Sequence, residues 1–359
     1  MAAEESPSDD LLRRAGSPDA YPQKIDLVRE MILLVQLEAS AYRAASFLDD
    51  RILGAATKGG WVPVRAVAEA SRLVSNACPV HFIFHTGHVG STLVSRLLDE
   101  TAEVLPLREP LPLRTLADAH DDLGEPASLL SEAQFNLALA MFMRLWARGY
   151  DATRSVVVKA TSSAGRLAVP ILAANQASRA IYMNVRAEPY LATLLAGQNS
   201  PTDLRGHGPG RMRRLQSRMA AAVPHLHTLS LGELAAMSWL VESWAQRDAV
   251  KRFPDRVIAV DFEDFLAAVA EHMSRILGHF GLTRDPRYLS AIARSPVLSR
   301  YSKAPEFAYA PEVRAEVLQE SRRHNREEIT KGMRWLERLT QADGALAEIV
   351  NPANARLAR

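Results

Sequence analysis

Short runs that are almost wholly apolar recur along the chain: VHFIFH at 80–85, RSVVVKATSS at 154–163, RAIYMNVRAEP at 179–189 and DRVIAVDFEDF at 255–265. Apolar runs of this length, bounded by Gly, Pro or polar clusters, predict strands buried on both faces. The intervals carry a different period. Leu93, Leu97 and Leu98 after the first run, then residues 128–148 and the stretch from Leu231 to Arg252, repeat their apolar positions at helical spacing. The tail from Pro311 to about Ala347 is also helical in pattern, and densely charged. Strands alternating with helices predict an α/β fold, a parallel sheet with helices over both faces.

Upstream, Ile25, Val28, Ile32, Val35, Leu37 and Phe47 recur at helical spacing between Lys24 and Arg51, and a second helix is expected from Arg65 to about Val74. These patterns divide the chain into a flexible leader at 1–22, a small helical N-terminal region at 23–77, the α/β domain at 78–305 and a helical C-terminal region at 306–359. No internal repeat is present.

Composition narrows the function. The chain has 359 residues, 48% of them apolar, enough to bury one large core. Lys and Arg number 43 against 41 Asp and Glu, so no overall basic field marks a nucleic-acid partner. Cys78 is the single cysteine, which excludes an intramolecular disulfide and a cysteine zinc cluster and fits a cytoplasmic protein. The acidic MAAEESPSDD start lacks the pattern of a secretory signal, and runs such as Ile32 to Leu37 fall far short of the roughly 20 residues that span a bilayer. His225 and His227 stand two apart without a third ligand nearby, so no metal is expected. Only six lysines occur.

Parallel sheets bind ligands beyond the carboxyl ends of their strands, so the chemistry is sought just after residues 85, 158, 185 and 260. At the first of these the sequence reads His85-Thr86-Gly87-His88-Val89-Gly90-Ser91-Thr92. A glycine-bearing turn from strand to helix aims backbone N–H groups at one point, where the helix dipole also favours an anion. Ser91 and Thr92 add hydroxyls. A triphosphate loop needs G-x-x-x-x-G-K-[ST]; here Ser91 stands at the lysine and His85 at the first glycine, so the clamp on a β–γ phosphate is missing.

With its Gly-Ser-Thr end, the loop resembles that of the sulfotransferase family, which takes a sulfuryl group from 3′-phosphoadenosine 5′-phosphosulfate. His88 occupies the family's basic position and Val89 the position of its serine. The resemblance implies that Gly87, His88, Val89, Gly90, Ser91 and Thr92 hold the donor's 5′ end. It implies that Glu109, in LREP, is the general base after the second strand, where composition alone reads a surface turn. Arg186, leaving a strand, and Thr193, seven residues on, would hold the 3′-phosphate. Lys159 at the end of VVVK would neutralise the sulfuryl oxygens, with His88 beside it, although pairing with a carboxylate is an open alternative.

Residues 298–307 stand where the family's C-terminal segment returns to the 3′-phosphate, with Lys303 the candidate and Arg300 and Ser302 beside it. The glycine- and arginine-rich 203–219 reads as a mobile lid or a solvated loop. Asp261, Glu263 and Asp264 read as helix caps and arginine partners, and Trp239 and Trp244 as packing residues. The resemblance covers roughly 80–305. It implies sulfuryl transfer to a hydroxyl or amine of a small-molecule, glycan or lipid acceptor, with no metal. A magnesium-dependent P-loop kinase and a non-catalytic binding relative remain as alternatives.

Overall fold

The computed structural model describes residues 14–72, 77–219, 222–283, 285–292, 294–302 and 311–350. Strands β1 (Ala20–Asp26), β2 (Met31–Gln36) and β3 (Gly59–Pro63) form an antiparallel sheet in that order. Strands β4 (Val80–His85), β5 (Val104–Arg108), β6 (Ser155–Lys159), β7 (Ala180–Asn184) and β8 (Val257–Asp261) form a parallel sheet in the order β5-β6-β4-β7-β8. The expected strands and the α/β class are present. Every residue of β4, β5 and β6 is buried, which is why these strands are continuous apolar runs. Pro106 lies within β5, an edge strand, where a missing N–H breaks no second ladder.

Two apolar cores sandwich the sheet. On one face Ile83, Val157 and Ile181 pack with the helices Ser91–Asp99, Ala187–Ala196, Ser200–Gln216, Leu231–Arg252 and Arg326–Ala342. On the other, Phe82, Phe84, Val156 and Val158 pack with the helices Leu111–Asp121 and Glu132–Trp146 and with Tyr21, Ile25, Ile32 and Leu34 of the antiparallel sheet. Capping boxes open two of the long helices. Ser131 and Gln134 cap Glu132–Trp146, and Ser230 and Glu233 cap Leu231–Arg252, which starts and ends where its pattern predicts.

The N-terminal region differs from expectation. The single helix read between Lys24 and Arg51 is a β1–β2 hairpin followed by one short helix, Ala39–Ala44; the second expected helix is present at Val64–Arg72. A turn at residues 26–31 explains the misreading. Asp26 Oδ1 accepts from the N–H groups of Val28 and Arg29, Glu30 adopts a φ of 53°, and Val28 is 78% exposed at the tip. Apolar residues on two antiparallel strands thus imitate a helical period across the turn. The 203–219 stretch is also a helix, Ser200–Gln216, despite Pro209 within it. The C-terminal region forms two helices, Pro311–His324 and Arg326–Ala342. No helix among the described residues is long and apolar enough to cross a membrane.

Candidate active site

Strand register lines up the candidates. Arg108 pairs with Lys159, Lys159 with Ile83 and His85 with Met183, so Glu109, Lys159, the loop after His85 and Arg186 all leave the sheet at its carboxyl edge. Neighbouring strands lie about 4.8 Å apart, which sets Glu109 roughly 10 Å to one side of the loop and Arg186 about 5 Å to the other.

The loop is built from left-handed residues. Gly87 has φ 105°, His88 55° and Gly90 69°, and Gly90 caps the helix Ser91–Asp99. Such a sequence of conformations turns successive N–H groups inward as a concave anion cup. Gly90 is obligatory, since a Cβ there would lie 2.1 Å from the Phe262 ring. Val89 has no exposed surface and belongs to the hydrophobic core, so its side chain anchors the loop and leaves the cup open. Thr86 Oγ1 donates to Asn184 Oδ1 at 3.1 Å, tying the loop's start to β7. Ser91 and Thr92 are buried, and among the described residues Thr92 Oγ1 has no hydrogen-bond partner. A buried hydroxyl without a partner is costly.

Glu109 stands in an unusual backbone state. Its φ is 55°, left-handed for a residue that also precedes a proline, a conformation only an over-determined site sustains. Three contacts fix it. Its N–H donates to Lys159 O at 2.6 Å, and its carboxylate pairs with the Lys159 ammonium, which is wholly buried. The residue before it, Arg108, is also wholly buried and donates to Ser95 Oγ, to the carbonyls of Tyr42, Arg43 and Ala45, and to Asp99 at 2.9 Å. Burial lowers the Arg108 guanidinium to about 10, countered by Asp99, so it stays charged. Lys159 therefore reaches the Glu109 carboxylate directly and holds it in place.

Arg186 is exposed and caps the helix Ala187–Ala196. It lines a cavity of about 1490 Å³ together with Asn184, Glu188, Asp261, Glu263 and Arg322. The loop residues and Glu109 do not line that cavity, so the candidates share an edge of the sheet without sharing one pocket. Thr193 donates its hydroxyl to Pro189 O in its own helix at 2.8 Å. Asp261 accepts from the N–H groups of Glu263 and Asp264, and Glu263 pairs with Arg314 at 2.6 Å, the capping and pairing roles read from their sequence. Trp239 donates to Val185 O at 2.8 Å in the core. Ser302 accepts from Arg96 through its carbonyl at 2.7 Å, whereas Lys303 lies outside the described residues. Among the described residues no cluster of three metal-ligating side chains exists.

Sequence reasoning missed several neighbours. Ser162 and the Tyr190 hydroxyl approach Gly87, within 3.4 and 3.6 Å of where a Cβ would sit. Nothing in TSSAGR or EPYLA distinguishes them from ordinary turn and helix residues. Arg108 was legible as one charge at the end of an apolar strand.

No protein-family model matches the chain, and no curated protein matches it. Solved structures do. The solved structures described here are all sulfotransferases. The enzyme from Alicyclobacillus acidocaldarius is 13% identical over 78% of this chain and 100% of its own, with a TM-score of 0.42. The sulfotransferase domain of the curacin biosynthetic pathway is 12% identical over 65% and 84%, with a TM-score of 0.38. A sulfotransferase from Mycobacterium avium is 10% identical over 90% and 98%, also at 0.38. No residue assignment rests on these likenesses.

Proposed function

We propose that this protein transfers a sulfuryl group from 3′-phosphoadenosine 5′-phosphosulfate to a hydroxyl or amine. The observation that carries the reading is the anion cup at Gly87–Thr92, with its partnerless Thr92 hydroxyl, flanked by the Glu109–Lys159 pair on one side and Arg186 on the other. A donor laid along the edge has its 5′ phosphosulfate in the cup. Its 3′-phosphate then meets the planar guanidinium of Arg186, which suits bidentate contact with phosphate oxygens. The missing P-loop lysine fits a donor with one activated group.

On the far side, Glu109 takes the acceptor proton as the new O–S or N–S bond forms and the bond from sulfur to the phosphate oxygen breaks. The leaving group is adenosine 3′,5′-bisphosphate. Its developing charge falls on the loop N–H groups, the Thr92 hydroxyl and His88, placed before the reaction begins. Lys159 holds the base in place.

Thermal shift tests the reading. Adenosine 3′,5′-bisphosphate raises the melting temperature, and ATP with magnesium does not; magnesium-dependent stabilisation by ATP would point to a kinase, and no response to a non-catalytic relative. In titration calorimetry Arg186→Ala weakens bisphosphate binding at least about tenfold. Glu109→Gln keeps an oxygen for Lys159, so it leaves that affinity unchanged and lowers the transfer rate by about 10²-fold or more. Unaltered turnover in this variant removes Glu109 as the base.

A further inference from the structure

Two arginines, Arg114 and Arg211, meet around His207 and Asp203 between the helices Leu111–Asp121 and Ser200–Gln216. Arg114 lies one turn into the helix that Glu109-Pro110 opens. Its Nη2 is 3.3 Å from Nε2 of His207, and among the described residues no carboxylate pairs with it. Burial, then Arg211, holds the His207 imidazole below its ordinary value. The same ring lies 3.4 Å from Asp203 Oδ1, and Arg211 Nη2 is 3.7 Å from Asp203 Oδ2, beyond hydrogen-bond reach. Arg211 is 8% exposed, yet its Nη1 is shielded and has no partner.

The other carboxylates of these helices are engaged elsewhere. Asp118 and Asp121 pair with Arg166, Asp122 with Arg213 and Glu242 with Arg214. A chain of contacts therefore runs from Arg211 through Asp203 and His207 to Arg114, one turn into the helix that follows Glu109. A buried guanidinium nitrogen without an acceptor is expensive unless a ligand supplies one.

We propose that Arg114 and Arg211 bind an anionic group on the acceptor, a carboxylate or a phosphate or sulfate ester carried near the hydroxyl or amine that is sulfated. This deepens the transfer reading and rests on it. Two guanidiniums beside an imidazole suit an oxyanion, and displacing half-exposed Asp203 from its loose contacts costs little.

The test fractionates small molecules from the cells that make the protein into anionic and neutral pools by anion exchange. Each pool is then incubated with enzyme and donor carrying a radiolabelled sulfuryl group. Label enters the anionic pool, and Arg114→Gln and Arg211→Gln each lower that incorporation at least about tenfold. Their bisphosphate affinity by calorimetry stays within about twofold of wild type, since neither residue lines the Arg186 cavity. Arg114 is half-exposed with one weak partner, so its variant folds even where the Arg211 variant does not. Incorporation into the neutral pool, or full anionic-pool rates in Arg114→Gln, overturns the proposal. Wild-type protein that fails to bind the bisphosphate strikes at the transfer reading instead.

Discussion

Single residues in this protein carry backbone and protonation states that only their surroundings explain. His81 lies within β4, 3% exposed, its ring stacked on Phe280 and its Nδ1 accepting from the Arg179 N–H at 3.2 Å. Desolvation by burial lowers its pKa from 6.5 to about 4. A depressed imidazole is neutral when folded and gains its proton when unfolded, so stability is full above 6.5 and is lost as pH falls toward 4. The difference is on the order of 3 kcal/mol. Urea melts at pH 7 and pH 4.5 should reveal most of it, and His81→Leu should flatten the dependence over that window; an equal slope in the variant means other groups dominate. At this scale the sequence was partly legible. Gly87 and Gly90 marked the sharp turn after β4, but the left-handed Glu109 was invisible, because it is held by Lys159, which lies far from it in sequence.

Helix crossings make the same point for elements. Where Leu231–Arg252 meets Arg326–Ala342, Gly232 N donates to Glu328 Oε2 at 2.7 Å, and a Cβ on Gly232 would lie 1.8 Å from Glu328 O. Gly332 faces it, its own Cβ position 2.5 Å from Gly232 O. In an exposed helix Gly→Ala gains about 1 kcal/mol of propensity. Here the new methyl meets backbone that cannot rotate away, and overpacking costs about 1–3 kcal/mol, so the clash wins. Gly232→Ala is expected to lower the urea midpoint and loosen the C-terminal helices, read by limited proteolysis after residue 311. A higher midpoint would mean the helices separate without cost. Periodicity predicted both helices well, because it records which face is apolar. It cannot record how close two backbones come, and it misread β1–β2 because a hairpin can reproduce a helical spacing.

Across the whole molecule the antiparallel sheet is part of the protein's core. Its Tyr21, Ile25, Ile32 and Leu34 share one apolar cluster with Phe82, Phe84, Val156 and Val158 of the parallel sheet. Two buried arginines hold the N-terminal region by its backbone carbonyls. Arg148 donates to Arg14 O at 2.9 Å and Ala20 O at 2.7 Å, while Arg108 takes the carbonyls of Tyr42, Arg43 and Ala45. Burial lowers Arg148 to about 10, still well above neutral pH, so these bonds are charge-assisted and lie in a low-dielectric setting. Arg108 also immediately precedes Glu109, so the seating of the N-terminal region sets the position of the proposed base. A shared core unfolds as one unit. Hydrogen exchange should therefore give β1, β2 and β6 amides the same opening free energy, and Arg148→Met should lower all of them together, by about 2 kcal/mol or more. Exchange of β1 and β2 at markedly lower free energy, with β6 unmoved by the substitution, would make the N-terminal sheet a separately folding attachment, and Glu109 would then be held by Lys159 alone.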